Sequence, residues 1–549
     1  MDALHDNESW QIYLAQAYVS IGLALNAQGK PRDALENYEK ARAIREYVAT
    51  SDSGNTLKTV MLAATYNLVG AALFKMNQYV DAVKAFQSAL QINEGVLSQH
   101  SGEILWRETS AIAQVGIGAA LLEQHDLTNA LQYYQQAILT FEQLMSVDSN
   151  VIIIQQELAT AYLGISGVLI DQERLDEAIG YLMKCRVIDE SIATKNPNDS
   201  VAKYHLARSD IHLAQVFVGR KETNKALELF LEGRKIVKLL PAPDEVGRQM
   251  EIVLLNEQIS DLLVGSNRKS DAVGYLRDSV AIFEMMARTR GDEEVWKIGL
   301  SGLSDTLCEI GELILSQEKA DDALDSFNAC LEVRKQMASA PMSNDDAAQY
   351  RVAEAKAKIA DALFKQGNLS RALQAYGEAL EILQGRGDPN EDRWQEDMEA
   401  VNTSIGAVLE NQNDLGGALD HYSKGTEILK LLAKSNAGGG RVWNEELAAS
   451  YVRLGNVLGK QGKTSEALDA FIESLDVDAH MIEQNSLSVS SQVDLIVHVW
   501  RHAMPSDKLQ DVVMRLASVL LQLKFINKLS NDQAAWLSEV ERRLTQTNP

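Results

Sequence analysis

Apolar and small side chains recur along this chain at a nearly constant spacing. The stretches QGKPRDALENYEKA (28–41), QGNLSRALQAYGEA (366–379) and QGKTSEALDAFIES (461–474) are close copies of one another. The alanine inside each copy recurs every 46 to 51 residues, and we call these residues the marker alanines. They are Ala34, Ala82, Ala130, Ala178, Ala226, Ala272, Ala323, Ala372, Ala418 and Ala467. So regular a period predicts a linear array of ten repeats.

Other positions keep the phase of the marker and predict how a repeat folds. The residue seven after the marker is always small. Twelve residues before the marker the chain also has small residues: Gly22, Gly70, Gly118, Ser166, Ala214, Ser260, Gly311, Ala360, Gly406 and Gly455. Four residues after it stand large ones: Tyr38, Phe86, Tyr134, Leu182, Phe230, Leu276, Phe327, Tyr376, Tyr422 and Phe471. Offsets of four and seven share one helical face, and small residues let two helices approach closely. Each repeat is therefore predicted to be two helices joined by a short polar turn.

This arrangement of a small residue, an alanine and an aromatic four residues later resembles the tetratricopeptide repeat family. The resemblance covers about residues 10–485. It implies an all-α fold, a right-handed α-solenoid of ten helix–turn–helix repeats. The usual period of the family is 34 residues, and its helix-ending proline is absent here, so longer helices are expected. Long-period arrays of this kind resemble those of large bacterial signalling proteins.

The repeat pattern stops after Ala467, and the remaining chain reads as further helices. We expect residues 1–485 to form the repeats and residues 486–549 to form capping helices. An array needs such a cap because its last apolar face would otherwise stay in water.

Composition narrows the classes of partner and compartment. The net charge of −25 disfavours nucleic acid and anionic membranes and favours a basic partner, although acidity can also serve solubility alone. Three cysteines cannot form a disulfide framework, and Cys185 and Cys330 occupy the small position seven after their markers, where we expect buried fillers. No signal peptide and no apolar run of membrane-spanning length is apparent, so a cytoplasmic protein is expected.

Motifs that could carry chemistry are weak. GKT at 462–464 lacks the upstream glycine and strand of a phosphate-binding loop. Residues 388–399 imitate a calcium loop but have Arg393 where the sharp turn needs glycine. His498 and His502, with Asp494 one turn earlier, could share a metal, yet they lack the glutamate of a metalloprotease motif. The sequence therefore predicts no catalytic residues, no cofactor and no metal, and the protein is not expected to be an enzyme.

The resemblance also implies where a partner binds. In that family the first helices line a concave groove, and the positions fifteen and eleven residues before the marker are expected to face it. These positions are mostly apolar in the first four repeats and acidic in the middle ones. The candidate partner-binding residues are Asn67, Val115, Leu163, Glu257, Asp261, Glu309, Glu312 and Asp361. A scattered, solvated set of acids is the alternative interpretation.

The expected function is that of a non-catalytic scaffold or adaptor that binds a partner protein or peptide, with a basic segment as the favoured chemistry. The alternative is a regulatory or sensor subunit of a separate effector enzyme, such as a caspase-like protease or a kinase. The oligomeric state and the identity of the partner do not follow from the sequence.

Overall fold

The structure is a computed structural model that describes residues 2–51, 55–97, 104–149, 151–241, 245–289, 291–339, 345–386, 392–434, 440–483, 513–521 and 537–542. Within these ranges every regular element is an α-helix. The helices are α1 Asp2–Ala27, α2 Pro31–Ser51, α3 Thr56–Lys75, α4 Tyr79–Leu97, α5 Ile104–Glu123, α6 Leu127–Val147, α7 Ile152–Asp171, α8 Leu175–Lys195, α9 Ser200–Gly219, α10 Thr223–Leu239, α11 Glu245–Gly265, α12 Lys269–Ala287, α13 Glu293–Leu315, α14 Ala320–Ala338, α15 Asp345–Lys365, α16 Leu369–Arg386, α17 Asp392–Asn411, α18 Leu415–Lys434, α19 Gly440–Lys460, α20 Thr464–Glu483, α21 (513–521) and α22 (537–542). Odd-numbered helices from α1 to α19 are the first helices of the repeats, and even-numbered helices are the second.

The predicted helix crossing is confirmed in both halves of the chain. The marker alanines are buried, and so are the large residues four positions after them. In the second repeat, a Cβ atom built on Gly70 would lie 2.8 Å from the ring of Phe86. The ring can pack against the first helix only because Gly70 has no side chain. This explains why the position twelve before the marker stays small.

All ten turns between first and second helices have one backbone conformation. The residue five before each marker has a left-handed φ between 59° and 77°, and it is glycine in only three turns. In the third turn, the N–H groups of His125 and Asp126 donate to Leu122 O and Leu121 O, each at 2.9 Å. These bonds satisfy the last carbonyls of α5 before α6 begins at Leu127. The short polar turn predicted from the sequence is thus a helix C-cap.

Contact clustering divides the chain into two compact units, Met1–Arg268 (unit 1) and Lys269–Pro549 (unit 2). Unit 1 contains α1 to α11, and unit 2 contains α12 to α22. Within each unit, the second helix of one hairpin packs against the first helix of the next, as α2 does with α3 and α14 with α15. Each unit is therefore a helical repeat array of the α-solenoid class.

Polar side chains join successive hairpins at equivalent positions. Arg45 and Arg334, each eleven residues after its marker, are both buried. Arg45 donates to Met61 O at 2.9 Å, and Arg334 donates to Arg351 O at 2.7 Å and to Glu354 at 3.0 Å. A buried guanidinium needs such partners because burying an unpaired charge is costly. These contacts fix the register of one hairpin on the next.

The described part of the C-terminal region packs on the last hairpin. Phe471 and Leu475 of α20 share an apolar cluster with Leu516 and Leu520 of α21 and with Val540 of α22. This packing supports the expected capping role of α21 and α22. The division into residues 1–485 and 486–549 stays a prediction.

The structure corrects the role expected for one cysteine. Cys330 is buried as expected, but it forms a disulfide with Cys308 that links α13 to α14. The free thiol of Cys185 is buried, and burial raises its pKa. Disulfides persist mainly in oxidising compartments, so the cytoplasmic location stays a prediction.

The expectation that no segment is long and apolar enough to cross a membrane is wrong for α3 and α7. Both helices meet that requirement by length and composition. Their many alanine and aliphatic residues are needed because neighbouring helices cover them on several sides, and each helix is partly buried in unit 1. Core helices of this kind pass the same test as membrane spans, so the finding is weak evidence for a membrane segment.

Candidate protein-interaction surface

Some neighbouring first helices lie side by side within each unit. In unit 1, α5 contacts α3 and α7, and in unit 2, α15 contacts α13 and α17. We call the exposed and partly exposed side of this row the first-helix surface of a unit. The candidate partner-binding residues all lie on first helices, so their exposure decides which of them such a surface offers to a partner.

The position fifteen before the marker mostly faces the second helix of its own hairpin. A Cβ atom built on Gly233 would lie 3.0 Å from Cγ1 of Ile211, and Cys308 is bonded to Cys330. In both hairpins the contact joins the position fifteen before the marker to the position seven after it. The uniformly small residue seven after the marker was the sequence signal for this contact.

Asn67, Val115 and Leu163 also serve packing. Asn67 is buried, and its Nδ2 donates to Thr109 O of the next first helix at 2.9 Å. Val115 is buried in the apolar cluster that Leu163 also packs against. The structure therefore gives these three side chains contacts within unit 1, and they offer little open surface.

Glu257 and Asp261 form an open acidic pair on α11. They are one helical turn apart, both are exposed, and neither makes a hydrogen bond or an ion pair with another described residue. Partial burial and, to a smaller extent, the charge of Asp261 raise the pKa of Glu257. Like charges one helical turn apart disfavour ionisation, which adds to the effect of burial.

The acidic candidates of unit 2 have partners. Lys358 forms an ion pair with Glu312, and the hydroxyl of Tyr376 donates to Asp361. The pKa of Asp361 is raised because its carboxylate is shielded by the surrounding chain, although the residue keeps an exposed edge. Glu309 is only partly exposed and also interacts with neighbouring residues.

A second acidic pair in unit 1 was missed from the sequence. Glu108 of α5 and Glu157 of α7 are partly exposed, and burial raises the pKa of both carboxyls. Burial is the larger cause of the raised pKa of Glu157, and the negative charge of Glu108 adds to it. Neither residue occupies the two positions taken from the family resemblance, which is why the pair was overlooked.

The candidate chemical motifs show no assembled metal centre in the part of the chain that the structure describes. There, no group of three or more His, Cys, Asp and Glu side chains is arranged to hold a metal ion. Asp494, His498 and His502 lie outside the described residues. The N–H of Lys463 in the GKT segment donates to Leu458 O at 3.0 Å, which makes the segment a helix-capping turn.

Comparison with known protein families decides the identity of the repeats. The tetratricopeptide repeat model matches residues 14–48, 62–101 and 447–477. These segments coincide with the hairpins α1–α2, α3–α4 and α19–α20. These three hairpins match the tetratricopeptide repeat. The match supports a protein–protein interaction scaffold. No curated protein matches the sequence.

Solved structures similar to this tetratricopeptide array include the apo form of RapI. It is 15% identical, with a TM-score of 0.39, and the match covers 75% of this chain and 99% of RapI. BtubC from P. vanneervenii is 15% identical with a TM-score of 0.32, over 48% of this chain and 94% of BtubC. YrrB, described as a tetratricopeptide protein with an unusual peptide-binding site, is 15% identical with a TM-score of 0.26, over 44% of this chain and 91% of YrrB.

Proposed function

We propose that this protein is a non-catalytic scaffold that holds a partner protein through the first-helix surface of unit 1. The observation that carries the proposal is the acidic pair Glu257 and Asp261. Both carboxylates are exposed and lack a cation among the described residues. A lysine- or arginine-rich segment of a partner would supply the missing charge.

The net charge of the chain makes a basic partner the favoured one. A chain carrying −25 attracts cationic segments at long range, and two adjacent carboxylates raise the local potential where such a segment arrives. Exposed ion pairs contribute little affinity, so the pair is expected to act mainly on the association rate. Glu108 and Glu157 would extend the attraction over α5 and α7.

The first-helix surface of unit 2 is the weaker candidate for electrostatic recognition. Lys358 already forms an ion pair with Glu312, and the carboxylate of Asp361 accepts a hydrogen bond from the hydroxyl of Tyr376. A partner would have to break these contacts before it could use either acid. In this proposal, the eight candidate residues therefore reduce to Glu257 and Asp261.

Charge reversal combined with affinity capture tests the proposal. The variant Glu257→Lys/Asp261→Lys is compared with Asp322→Lys/Asp325→Lys, which reverses two exposed acids on the second helix α14. Both variants change the net charge equally. Circular dichroism and a thermal melt first establish that both fold like the wild type.

We expect the α11 variant to lose its captured proteins, while the α14 variant keeps them. Capture by the wild type should also weaken with salt, because the Debye length falls from about 10 Å at 0.1 M to about 3 Å at 1 M. Equal capture by both variants and the wild type would contradict the proposal. The captured proteins themselves distinguish a scaffold for several basic partners from a regulatory subunit of one enzyme.

A further inference from the structure

Unit 1 contains an open cavity of about 360 Å³ between the end of α8, the beginning of α9 and the end of α10. Sites for small ligands have volumes of roughly 300–1,000 Å³ and are lined mainly by apolar side chains with a few polar groups. Three polar residues line this cavity: Thr194, Ser200 and Lys203. The other six are aliphatic or proline: Ala193, Leu206, Ile236, Leu239, Leu240 and Pro241. Its volume and its lining are therefore those of a small-ligand site.

The cavity lies where α10 ends early. Helix α8 ends 17 residues after its marker alanine, whereas α10 ends 13 residues after its own, about one helical turn sooner. Pro241 explains this end, because proline has no backbone N–H and disfavours the helical conformation in the residue before it. Leu240 accordingly has an extended backbone, with a ψ of 141°. Leu239 lies at the mouth of the cavity and is 77% exposed, so the early end leaves apolar surface open to a ligand.

The segments that form the cavity are basic, unlike the chain as a whole. Residues 193–195, 200–206 and 234–241 contain no aspartate or glutamate. They contain five basic residues: Lys195, Lys203, Arg234, Lys235 and Lys238. The whole chain, in contrast, has 77 acidic and 52 basic residues. A local excess of positive charge raises the concentration of anions near the cavity. The ligand is therefore expected to combine an apolar part with a negative charge.

Lys203 is the cation that lines the cavity. It is partly exposed and forms no ion pair with another described residue. The acid nearest to it in the sequence, Asp199, has other partners. Its carboxylate accepts hydrogen bonds from two N–H groups in the first turn of α9, at 2.9 and 3.1 Å. The ammonium group of Lys203 is therefore available to an anionic ligand, and Thr194 and Ser200 add hydroxyl groups to the same cavity.

We propose that this cavity binds a free aliphatic carboxylate, with its carboxylate at Lys203 and its chain against Ile236 and Leu239. A plain hydrocarbon chain suits the apolar lining because it brings no polar group that needs a partner. A peptide terminus would bring N–H and C=O groups that the apolar side chains cannot satisfy. Glu257 and Asp261 do not line the cavity, so this proposal does not depend on the binding of a partner protein to the acidic pair.

Calorimetric titration of the full chain with octanoate tests the proposal. Lys203→Met removes the charge but keeps much of the aliphatic stem. Lys75→Met is the control, because Lys75 is exposed on α3 and does not line the cavity. We expect single-site binding with a dissociation constant below about 1 mM, which rises roughly tenfold or more in Lys203→Met. Lys75→Met should bind octanoate like the wild type.

Two further comparisons test the chain and the carboxylate separately. Leu239→Ser should weaken octanoate binding by about three- to tenfold, whereas Leu139→Ser should not, because Leu139 is exposed on α6 and does not line the cavity. Octanamide has the same chain without the charge and should bind roughly tenfold more weakly than octanoate. Thermal melts identify any variant that fails to fold.

Four results would overturn the proposal. The first is a wild type that does not bind octanoate at millimolar concentration. The second is octanoate binding that is unchanged in Lys203→Met or in Leu239→Ser, because the ligand would then occupy another site. The third is equal binding of octanamide and octanoate, because the cavity would then not recognise the charge. The fourth is tighter binding of N-acetyl-leucine than of octanoate, which would assign the cavity to the C-terminal residue of a partner chain.

Discussion

Helices α11 and α13 have acidic residues at the same repeat position, eleven before the marker, yet these residues meet different surroundings. On α11, Asp261 has Glu257 one turn away and no cation among the described residues. On α13, Glu312 is paired with Lys358, which the next first helix of unit 2 supplies. The repeat phase decides which way a side chain points. The adjacent repeat decides whether its charge remains available to a partner.

The repeat position of an acidic residue therefore does not decide whether its charge is available to a partner. A repeat family teaches which positions face outward, and these positions are shared by α11 and α13. Availability depends on single residues such as Lys358, whose residue type does not recur at that repeat position along the array. An array of this kind can move its binding surface by changing one lysine, without changing its fold.

The largest expected effect tests whether the two units share the same helix crossing. Phe86→Ala in unit 1 and Phe327→Ala in unit 2 each remove a buried ring that packs on a first-helix glycine. Each should lower the free energy of unfolding by about 3–5 kcal/mol. Urea unfolding measures this, with Leu431→Ala on α18 as a control because Leu431 is exposed. A wild-type midpoint for either phenylalanine variant would show that the repeat phase is assigned incorrectly in that unit.

Lys358→Met should make the surface of α13 resemble that of α11. The substitution keeps much of the aliphatic stem but removes the cation from Glu312. We expect tighter binding of a hexalysine probe at low salt, with a stability change below about 1 kcal/mol because the pair is partly exposed. Calorimetric titration measures the binding, and Lys365→Met on the same helix is the control. Unchanged hexalysine binding would indicate that Glu312 does not recruit cations even when unpaired.

The smallest effect concerns the pH dependence of the open pair. Asp261→Asn removes a negative charge beside Glu257 and should lower the pKa of Glu257 toward its ordinary value of 4.5. Because the pKa of Glu257 is higher in the folded protein than in the unfolded chain, Glu257 ionises first in the unfolded chain. The free energy of unfolding therefore falls as the pH rises above the ordinary pKa of glutamate. The variant should reduce that loss. A carboxyl titration followed by NMR checks the shift, and an unchanged Glu257 pKa would show that Asp261 is too distant to interact.

The helices and their crossings could be predicted because they depend on residues that repeat. The ten marker alanines and the ten large residues share one phase, and pairing two helices in each repeat buries both sets. Ala178 and Phe230 are buried, as this pattern predicts. The turns were predictable for the same reason. Their polar residues follow each first helix at a constant distance.

The candidate surface was less predictable because exposure depends on contacts between repeats. Asn67 and Val115 stand at positions expected to face a groove, yet both are buried. The Cys308–Cys330 bond joins the position fifteen before the marker to the second helix, whereas the family resemblance had assigned that position to the groove. The pairing of Lys358 with Glu312 joins residues 46 positions apart and follows no repeated pattern.

The shared turn conformation makes each hairpin an exchangeable module. Every turn between a first and a second helix contains one left-handed residue at the same position, whether that residue is glycine, asparagine, histidine, glutamate or lysine. A duplicated or deleted hairpin would therefore close as its neighbours do, since its turn needs no contact from elsewhere in the chain. Such an array can change length by whole hairpins during evolution, and only the joints between hairpins must adapt.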